Sequence, residues 1–359
     1  MVEPAPHRLD DAWRTGLRSA VQREVDAFLE EQCLRRLADA GVGQTATVLR
    51  NYLTGGKCVR STFMYLGWLA GAADDDAALR AAASLELLHA FALIQDDVMD
   101  ESALRRGRPA AHVTFAGWHR GRSLPGSAIR FGESAAVLLA DLCLVWSEQM
   151  LRDSGLPADD LARCWWRYDD MRVELAVGQF ADLVNDAAAL PTLDAVMAVL
   201  RRKSGNYTVR RPLELGAALA RCDDEVIAGL GAYGELIGEC FQLRDDLLDV
   251  TGSPSLTGKP AGVDLVARKA TSVVVMAHRL ATPEAQRELI ELTRLPELSP
   301  CDIERLRTLI LQSGAVDGVE RMIDERVSRA LSHLDALEVS GAAAGALADM
   351  AISCSERAA

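Results

Sequence analysis

Apolar side chains recur at i, i+3, i+4 and i+7 along nearly the whole chain, in runs separated by short stretches of Gly, Pro and small polar residues. This pattern predicts helices over roughly 10–40, 43–53, 58–72, 75–100, 109–116, 131–154, 158–186, 192–220, 223–250, 262–281, 283–296, 300–313 and 315–337. No segment sustains the period-two alternation of a half-buried strand, so no sheet is expected. Two long breaks stand out, residues 117–130 (GWHRGRSLPGSAIR) and 251–263 (TGSPSLTGKPAGV), and loops of that length in a compact domain are often functional. No low-complexity block or Pro-rich linker divides the chain. The expectation is one all-α domain over residues 1–359, with a flexible N-terminus at about 1–8 and, at about 340–359, a tail whose composition could be helical but which is expected to be flexible.

Composition narrows the reading. At 359 residues and 49% hydrophobic, the chain can bury a large core, and its abundance of Ala and Leu with only 5% aromatics favours helices. A formal charge of -13 with no basic stripe excludes nucleic acid as a partner, so an anionic ligand would need local cations or metal. Cys33, Cys58, Cys143, Cys164, Cys222, Cys240, Cys301 and Cys354 form no C-x-x-C pair and have no His at zinc spacing, which suits a reducing compartment. The start, MVEPAPHRLDDAWR, has neither the basic nor the apolar region of a secretory signal. The apolar stretch SAAVLLADLCLVW is interrupted by Asp141 and falls short of the roughly 20 residues a membrane span needs. A soluble, cytoplasmic protein without a membrane span is expected.

The chemistry concentrates in two acidic clusters. LIQDDVMDESALRRGRP sets Asp96, Asp97 and Asp100 at the end of a greasy helical run, and about 150 residues later FQLRDDLLDV repeats the spacing with Asp245, Asp246 and Asp249. On a helix, the first and third carboxylates of D-D-x-x-D stack one turn apart and the second sits about 100° round. Three like charges so close repel, and a divalent cation removes the conflict. Hard oxygen ligands suit Mg2+, which keeps several waters and is commonly shared with substrate phosphates. The cations an anion would need are also present. Arg105, Arg106 and Arg108 follow the first cluster, and guanidinium forks match diphosphate oxygens. GGKCVR places Lys57 and Arg60 on one helical face near an N-terminus, and Lys203, Lys259 and Lys269 sit beside helix starts or Gly-rich turns. His89 lies two turns before Asp96 and so points toward the same site.

With these pieces in place, the sequence resembles the trans-isoprenyl diphosphate synthases from about residue 50 to 275. The matching stretches are GGKCVRS, LELLHAFALIQDDVMDESALRRGRPAAH, GESAAVLLADL, ELAVGQFADL, KSGNYTVRRPLELGA, GECFQLRDDLLDVTG and GKPAGVDLVARKAT. The resemblance implies a bundle of antiparallel helices around a deep central cavity, in a homodimer. It implies that the six aspartates face each other across the cavity mouth and hold about three Mg2+ that bridge an allylic diphosphate. Arg105, Lys203, Ser204, Lys259 and Lys269 would contact that diphosphate, with Gln179, Tyr207 and Gln242 lining the pocket. Lys57, Arg60, His89 and Arg106 match the subsite for isopentenyl diphosphate.

The implied reaction joins isopentenyl diphosphate to an allylic diphosphate of five, ten or fifteen carbons. Phe91 and Ala92, five and four residues before Asp96, are similar to the pattern of members that make the C20 product geranylgeranyl diphosphate, with the C15 product farnesyl diphosphate next. Three positions depart from the usual wording: Gln95 where His commonly stands, Ser204 for Thr, and Arg268 for Gly before Lys269. A class I terpene cyclase is disfavoured because its second cluster is typically N-x-x-x-S-x-x-x-E and it lacks an isopentenyl clamp. A catalytically silent partner subunit would have lost a cluster, and neither cluster has the Gly and bidentate Glu of a calcium-binding EF-hand loop.

Overall fold

The computed structural model of the chain describes residues 10–32, 36–37, 44–186, 190–252, 262–295 and 297–356. The order is α1 (Asp11–Gln32), α2 (Gln44–Leu53), α3 (Val59–Leu69), α4 (Asp76–Met99), a hairpin of β1 (Leu104–Arg105) and β2 (Arg108–Pro109), α5 (Ala111–Gly121), α6 (Ala128–Arg152) and α7 (Ala158–Asp186). There follow α8 (Leu193–Leu200), a π-helical segment (Arg201–Arg210), α9 (Arg211–Leu219), α10 (Asp224–Thr251), α11 (Val263–Val266), α12 (Ser272–Leu280), α13 (Pro283–Thr293), α14 (Pro300–Gln312), α15 (Ala315–Asp335) and α16 (Gly341–Glu356). The all-α expectation holds, and many helix starts follow from local chemistry. Asp75, Thr192, Asp223 and Ser299 each accept a hydrogen bond from a backbone N–H three residues on, and Pro283 and Pro300 occupy first-turn positions.

Five expectations need correction. The hairpin is a sheet, but two-residue strands are too short for any alternation to register. The helix expected at 192–220 is interrupted by the π-helical segment, and that at 262–281 breaks between Val266 and Ser272 around Arg268, whose φ of 57° no helix continues. The loop at 117–130 shrinks because α5 runs to Gly121 and α6 starts at Ala128. The C-terminal stretch expected as a flexible tail is α16, whose Ala343, Ala346, Leu347, Met350, Ala351 and Cys354 are buried. Small side chains let it lie close on α10, where the Tyr233 hydroxyl donates to the Leu347 carbonyl at 2.6 Å. Residues 1–8 lie outside the described residues.

α4 is the axis of the architecture. By length and composition it is apolar enough to cross a membrane, yet 61% of its most apolar window is buried inside the fold. Ala81, Ala82, Ala83, Leu85, Leu87, Leu88 and Ile94 are each fully enclosed. Alanines let neighbouring helices approach α4 while the leucines fill the spaces between them. The same logic governs α3 against α9, where glycines replace alanines. A Cβ on Gly216 would collide with the Met64 carbonyl oxygen and come 2.7 Å from the Trp68 nitrogen. Gly216→Ala is therefore expected to cost about 1–3 kcal/mol by overpacking. The check is the denaturant midpoint; an unchanged midpoint with unchanged slope would show that the two helices separate freely.

Candidate active site

The first aspartate triad sorts by helical face. Along the last turns of α4, His89, Ala92, Leu93, Asp96 and Asp100 form one half-exposed stripe, whereas Asp97, one step round, is 0% exposed. Asp97 accepts from the Tyr52 hydroxyl at 2.6 Å on one oxygen and from Arg105 Nε at 2.9 Å on the other. Asp96 meets Lys203 Nζ at 3.1 Å and Arg105 at 3.6 Å, and Asp100 meets Lys269 Nζ at 2.5 Å. Burial alone would raise the Asp96 pKa, but Lys203, Lys269 and Arg105 outweigh it and hold the carboxyl below its ordinary range. Both lysines move up against their own burial, Lys203 through Asp96 and Asp182, Lys269 through Asp100. Asp96 and the two lysines are therefore held in their charged forms.

Past Asp100 the chain makes a hairpin that separates two adjacent arginines. Its two-residue loop is Arg106, with φ 50°, and Gly107, with φ 74°. Positive φ at both positions is what a type I′ turn requires, and a non-glycine residue held there is typical of functional sites. Leu104 pairs with Pro109 and Arg105 with Arg108. Arg105 thus reaches Asp97 and Asp96, while Arg106 folds back to donate to the Tyr52 carbonyl at 3.2 Å and the Thr54 carbonyl at 2.8 Å. Gly56, beside exposed Lys57, lies against the Arg106 guanidinium, close enough that an added Cβ would sit in ordinary contact at 3.5 Å.

The π-helical segment presents Lys203, half-buried Ser204 and Tyr207. Three glycines allow its close approach. A Cβ on Gly178 would lie 2.5 Å from the Lys203 nitrogen, and one on Gly238 would lie 2.6 Å from the Gly205 carbonyl carbon. Lys203 then spans Asp96 and Asp182, the latter at 2.6 Å. Gln179, the residue after Gly178, encloses its Nε2 without a hydrogen-bond partner among the described residues. Four residues on from Lys203, the Tyr207 ring lies under the Arg60 guanidinium at 4.4 Å, Arg60 donates to the Thr208 hydroxyl at 3.0 Å, and the His89 ring is 6.4 Å from Tyr207. His89 Nδ1 is enclosed and has no partner among the described residues. Burial first, then Arg60, Arg106 and Arg105, press its pKa well below the usual value and keep it neutral. Tyr207, expected in the allylic pocket, therefore groups with Arg60 and His89.

The second triad repeats the sorting of the first. Asp245 and Asp249 are half-exposed, while Asp246 is 5% exposed and accepts from Ser272 through its N–H at 3.0 Å and hydroxyl at 2.6 Å, and from Gln242 Nε2 at 3.0 Å. Burial pushes the Asp246 pKa up to about 7, against those hydrogen bonds. Asp249 accepts from the Asp264 N–H at 3.1 Å, and the Asp264 carbonyl accepts from the Lys269 N–H at 2.9 Å. Because the Lys269 side chain ends on Asp100, a short chain of contacts ties one triad to the other. All six acids were expected in one ligand set; the helix turn instead puts Asp97 and Asp246 behind the other four. Lys259 lies outside the described residues.

A sequence model described as polyprenyl synthetase matches residues 44–309. The chain belongs to the polyprenyl synthetase family. Its activity is trans-prenyl transfer. It is 34% identical over 281 residues to a geranylgeranyl diphosphate synthase of Mycobacterium tuberculosis, an alignment covering 78% of this chain and 75% of that one. A geranylfarnesyl diphosphate synthase of Aeropyrum pernix is 30% identical over 79% of this chain and 85% of its own. Among solved structures, a Corynebacterium glutamicum geranylgeranyl pyrophosphate synthase complexed with isoprenyl diphosphate and magnesium superposes with a TM-score of 0.90 at 36% identity, covering 95% of this chain and 98% of that one.

Several site residues carry no signal in the motifs. Tyr52, Asp182 and Ser272 act only because distant segments bring them to Asp97, Lys203 and Asp246. Asp182 alone was within reach, three residues after Gln179 in GQFAD. The dependence of Lys203 on Gly178 gives a test. Gly178→Ala should push the Lys203 backbone away and reduce turnover by about tenfold or more, since small displacements of a charged group are costly. Circular dichroism should show helicity retained, and turnover within twofold of the parent would mean that Lys203 reaches its place regardless.

Proposed function

We propose that this enzyme condenses isopentenyl diphosphate with an allylic diphosphate and releases geranylgeranyl diphosphate. The observation that carries the reading is the sorting of cations into two groups. Lys203, Lys269 and Arg105 gather on the aspartates, while Arg60, Arg106 and Lys57 gather around His89, Tyr207 and Gly56. Two diphosphates need two such groups. The first would hold the allylic substrate with Gln179, Ser204, Lys259 and Gln242 nearby, and the second would hold isopentenyl diphosphate.

Among the described residues no three acids enclose a metal by themselves. Asp96, Asp100, Asp245 and Asp249 offer hard carboxylate oxygens on half-exposed faces, an incomplete all-oxygen set that fits Mg2+ shared with substrate phosphate. They would hold about three ions, with Asp97 and Asp246 supporting from behind. Bound there, Mg2+ supplies positive charge to the departing diphosphate. Arg105, Lys203 and Lys269 add fixed charge to the same oxygens. The apolar stripe of α4 keeps water from the allyl cation, and the clamp around Arg60 aims the isopentenyl alkene at it. The proton lost afterwards passes to the released diphosphate.

Product length depends on the depth below Asp96. Ala92 stands one turn below it on the open stripe, while Phe91 is turned about 140° from that face and rests half-buried on the core. The relatives span shorter and longer products: a farnesyl diphosphate synthase of Mycobacterium tuberculosis is 33% identical over 225 residues, which favours a C15 product as the second reading. Purified protein with isopentenyl diphosphate, Mg2+ and each of the C5, C10 and C15 allylic diphosphates should yield C20 alcohols after dephosphorylation. Ala92→Phe should shorten them, whereas Phe91→Ala, on the core side, should leave their length unchanged. A C15 product from the parent would favour the farnesyl reading; no elongation with any starter would end both.

A homodimer in the cytoplasm completes the proposal. Trp166, Val173, Val177, Phe180 and Val184 lie on one face of α7 and are 48–72% exposed, and Leu138 and Val145 of α6 add to the apolar surface. A stripe of that size on a soluble protein marks an interface. Light scattering should give twice the chain mass, and Phe180→Glu with Val184→Glu should shift it toward the monomer. A monomeric parent protein would refute the dimer.

A further inference from the structure

Tyr52 stands at the meeting point of the two cation groups, yet no motif includes it. It comes from α2, is 5% exposed, and makes three contacts that lead to the hairpin and the first triad. Its hydroxyl donates to Asp97 Oδ2 at 2.6 Å and accepts from the Ala111 N–H at 2.9 Å. Its carbonyl accepts from Arg106 at 3.2 Å. Because Ala111 supplies a donor, the single phenolic proton has one place to go, and the hydroxyl must face the carboxylate as a donor. Burial, followed by the charge of Asp97, raises the Tyr52 pKa, so the proton stays in place at neutral pH.

The geometry points to Tyr52 as a positioning residue that aims both arginines of the hairpin, Arg105 through Asp97 and Arg106 through its own carbonyl. Asp97 is fully enclosed; its Oδ2 accepts from Tyr52, while its Oδ1 receives both Nε and one terminal nitrogen of Arg105. A guanidinium facing a carboxylate with both oxygens open adopts the fork-to-fork pairing and turns its donors inward. Here the Tyr52 hydroxyl fixes Oδ2 and so sets the plane of the carboxylate, and Arg105 meets it through Oδ1 alone. The terminal nitrogen of Arg105 that meets Asp97 also lies 3.6 Å from Asp96, where the allylic diphosphate is proposed to bind. The arrangement gives one side chain influence over both substrate sites by separable routes, because the hydroxyl serves one and the backbone serves the other.

The inference rests on the roles given above to Arg105 and Arg106, and the experiment separates the two. Tyr52→Phe keeps the ring and the carbonyl and removes the hydroxyl. It should lower kcat/KM for the allylic substrate about tenfold and leave KM for isopentenyl diphosphate within about twofold, as expected for one lost buried hydrogen bond to a charged group. Combined with Arg105→Lys, it should add little further loss, since both changes act on one contact. Asp97→Asn approaches the same contact from the other side and should reproduce the allylic defect, should Tyr52→Phe fold poorly. Tyr233→Phe, which loses an equally buried hydroxyl contact to Leu347, should lower Tm without altering either substrate's kinetics. Unchanged allylic kinetics in Tyr52→Phe, or losses fully additive with Arg105→Lys, would overturn the proposal. Unchanged allylic kinetics in Arg105→Lys would instead remove the reading of Arg105 beneath it.

Discussion

Repulsion among carboxylates is the constraint around which this molecule is built. Two triads of aspartates end long apolar helices and are linked through Lys269, whose side chain meets Asp100 and whose N–H meets the Asp264 carbonyl beside Asp249. The fold resolves the conflict with basic side chains from other segments: Lys203 from the π-helical segment, Lys269 from the turn before α12, and Arg105 from the hairpin. Each of these requires a local irregularity. Lys203 needs the wide helical turn and the glycine at 178, Lys269 follows a left-handed Arg268, and Arg105 precedes a left-handed Arg106. Regular helices supply the scaffold, and departures from regularity deliver the cations.

The division within each triad follows from the same helix geometry. The step of about 100° per residue forces the middle aspartate away from its neighbours, so one of every three carboxylates must be buried or point elsewhere. Asp97 and Asp246 are buried, and each is satisfied by neutral or cationic donors, Tyr52 with Arg105 in one case and Ser272 with Gln242 in the other. The outer aspartates, left on half-exposed faces, are available to ligands. Two roles thus come from one repeated motif, and the environment decides which residue takes which.

Most helices were legible because their starts carry capping residues and their faces keep a steady apolar period. The aspartate clusters were legible because spacing on a helix is fixed. What escaped was whatever depends on distant segments meeting. The apolar pattern of 192–220 is the same whether one turn holds 3.6 residues or more, so the π-helical segment left no trace in it. Strands of two residues are below the reach of periodicity, and Tyr52 carried no sign that its hydroxyl would meet Asp97. Ser272 was silent for the same reason. The alanine-rich terminus read as a tail because small residues signal weakly, although they are what allows α16 to dock.

The lysines resting on Asp96 and Asp100 have a consequence for any anion the site takes up. Lys203 and Lys269 would have to give up carboxylate partners to reach it and would regain them when it leaves. Uptake and release would then be exchanges of partners instead of separations of opposite charge.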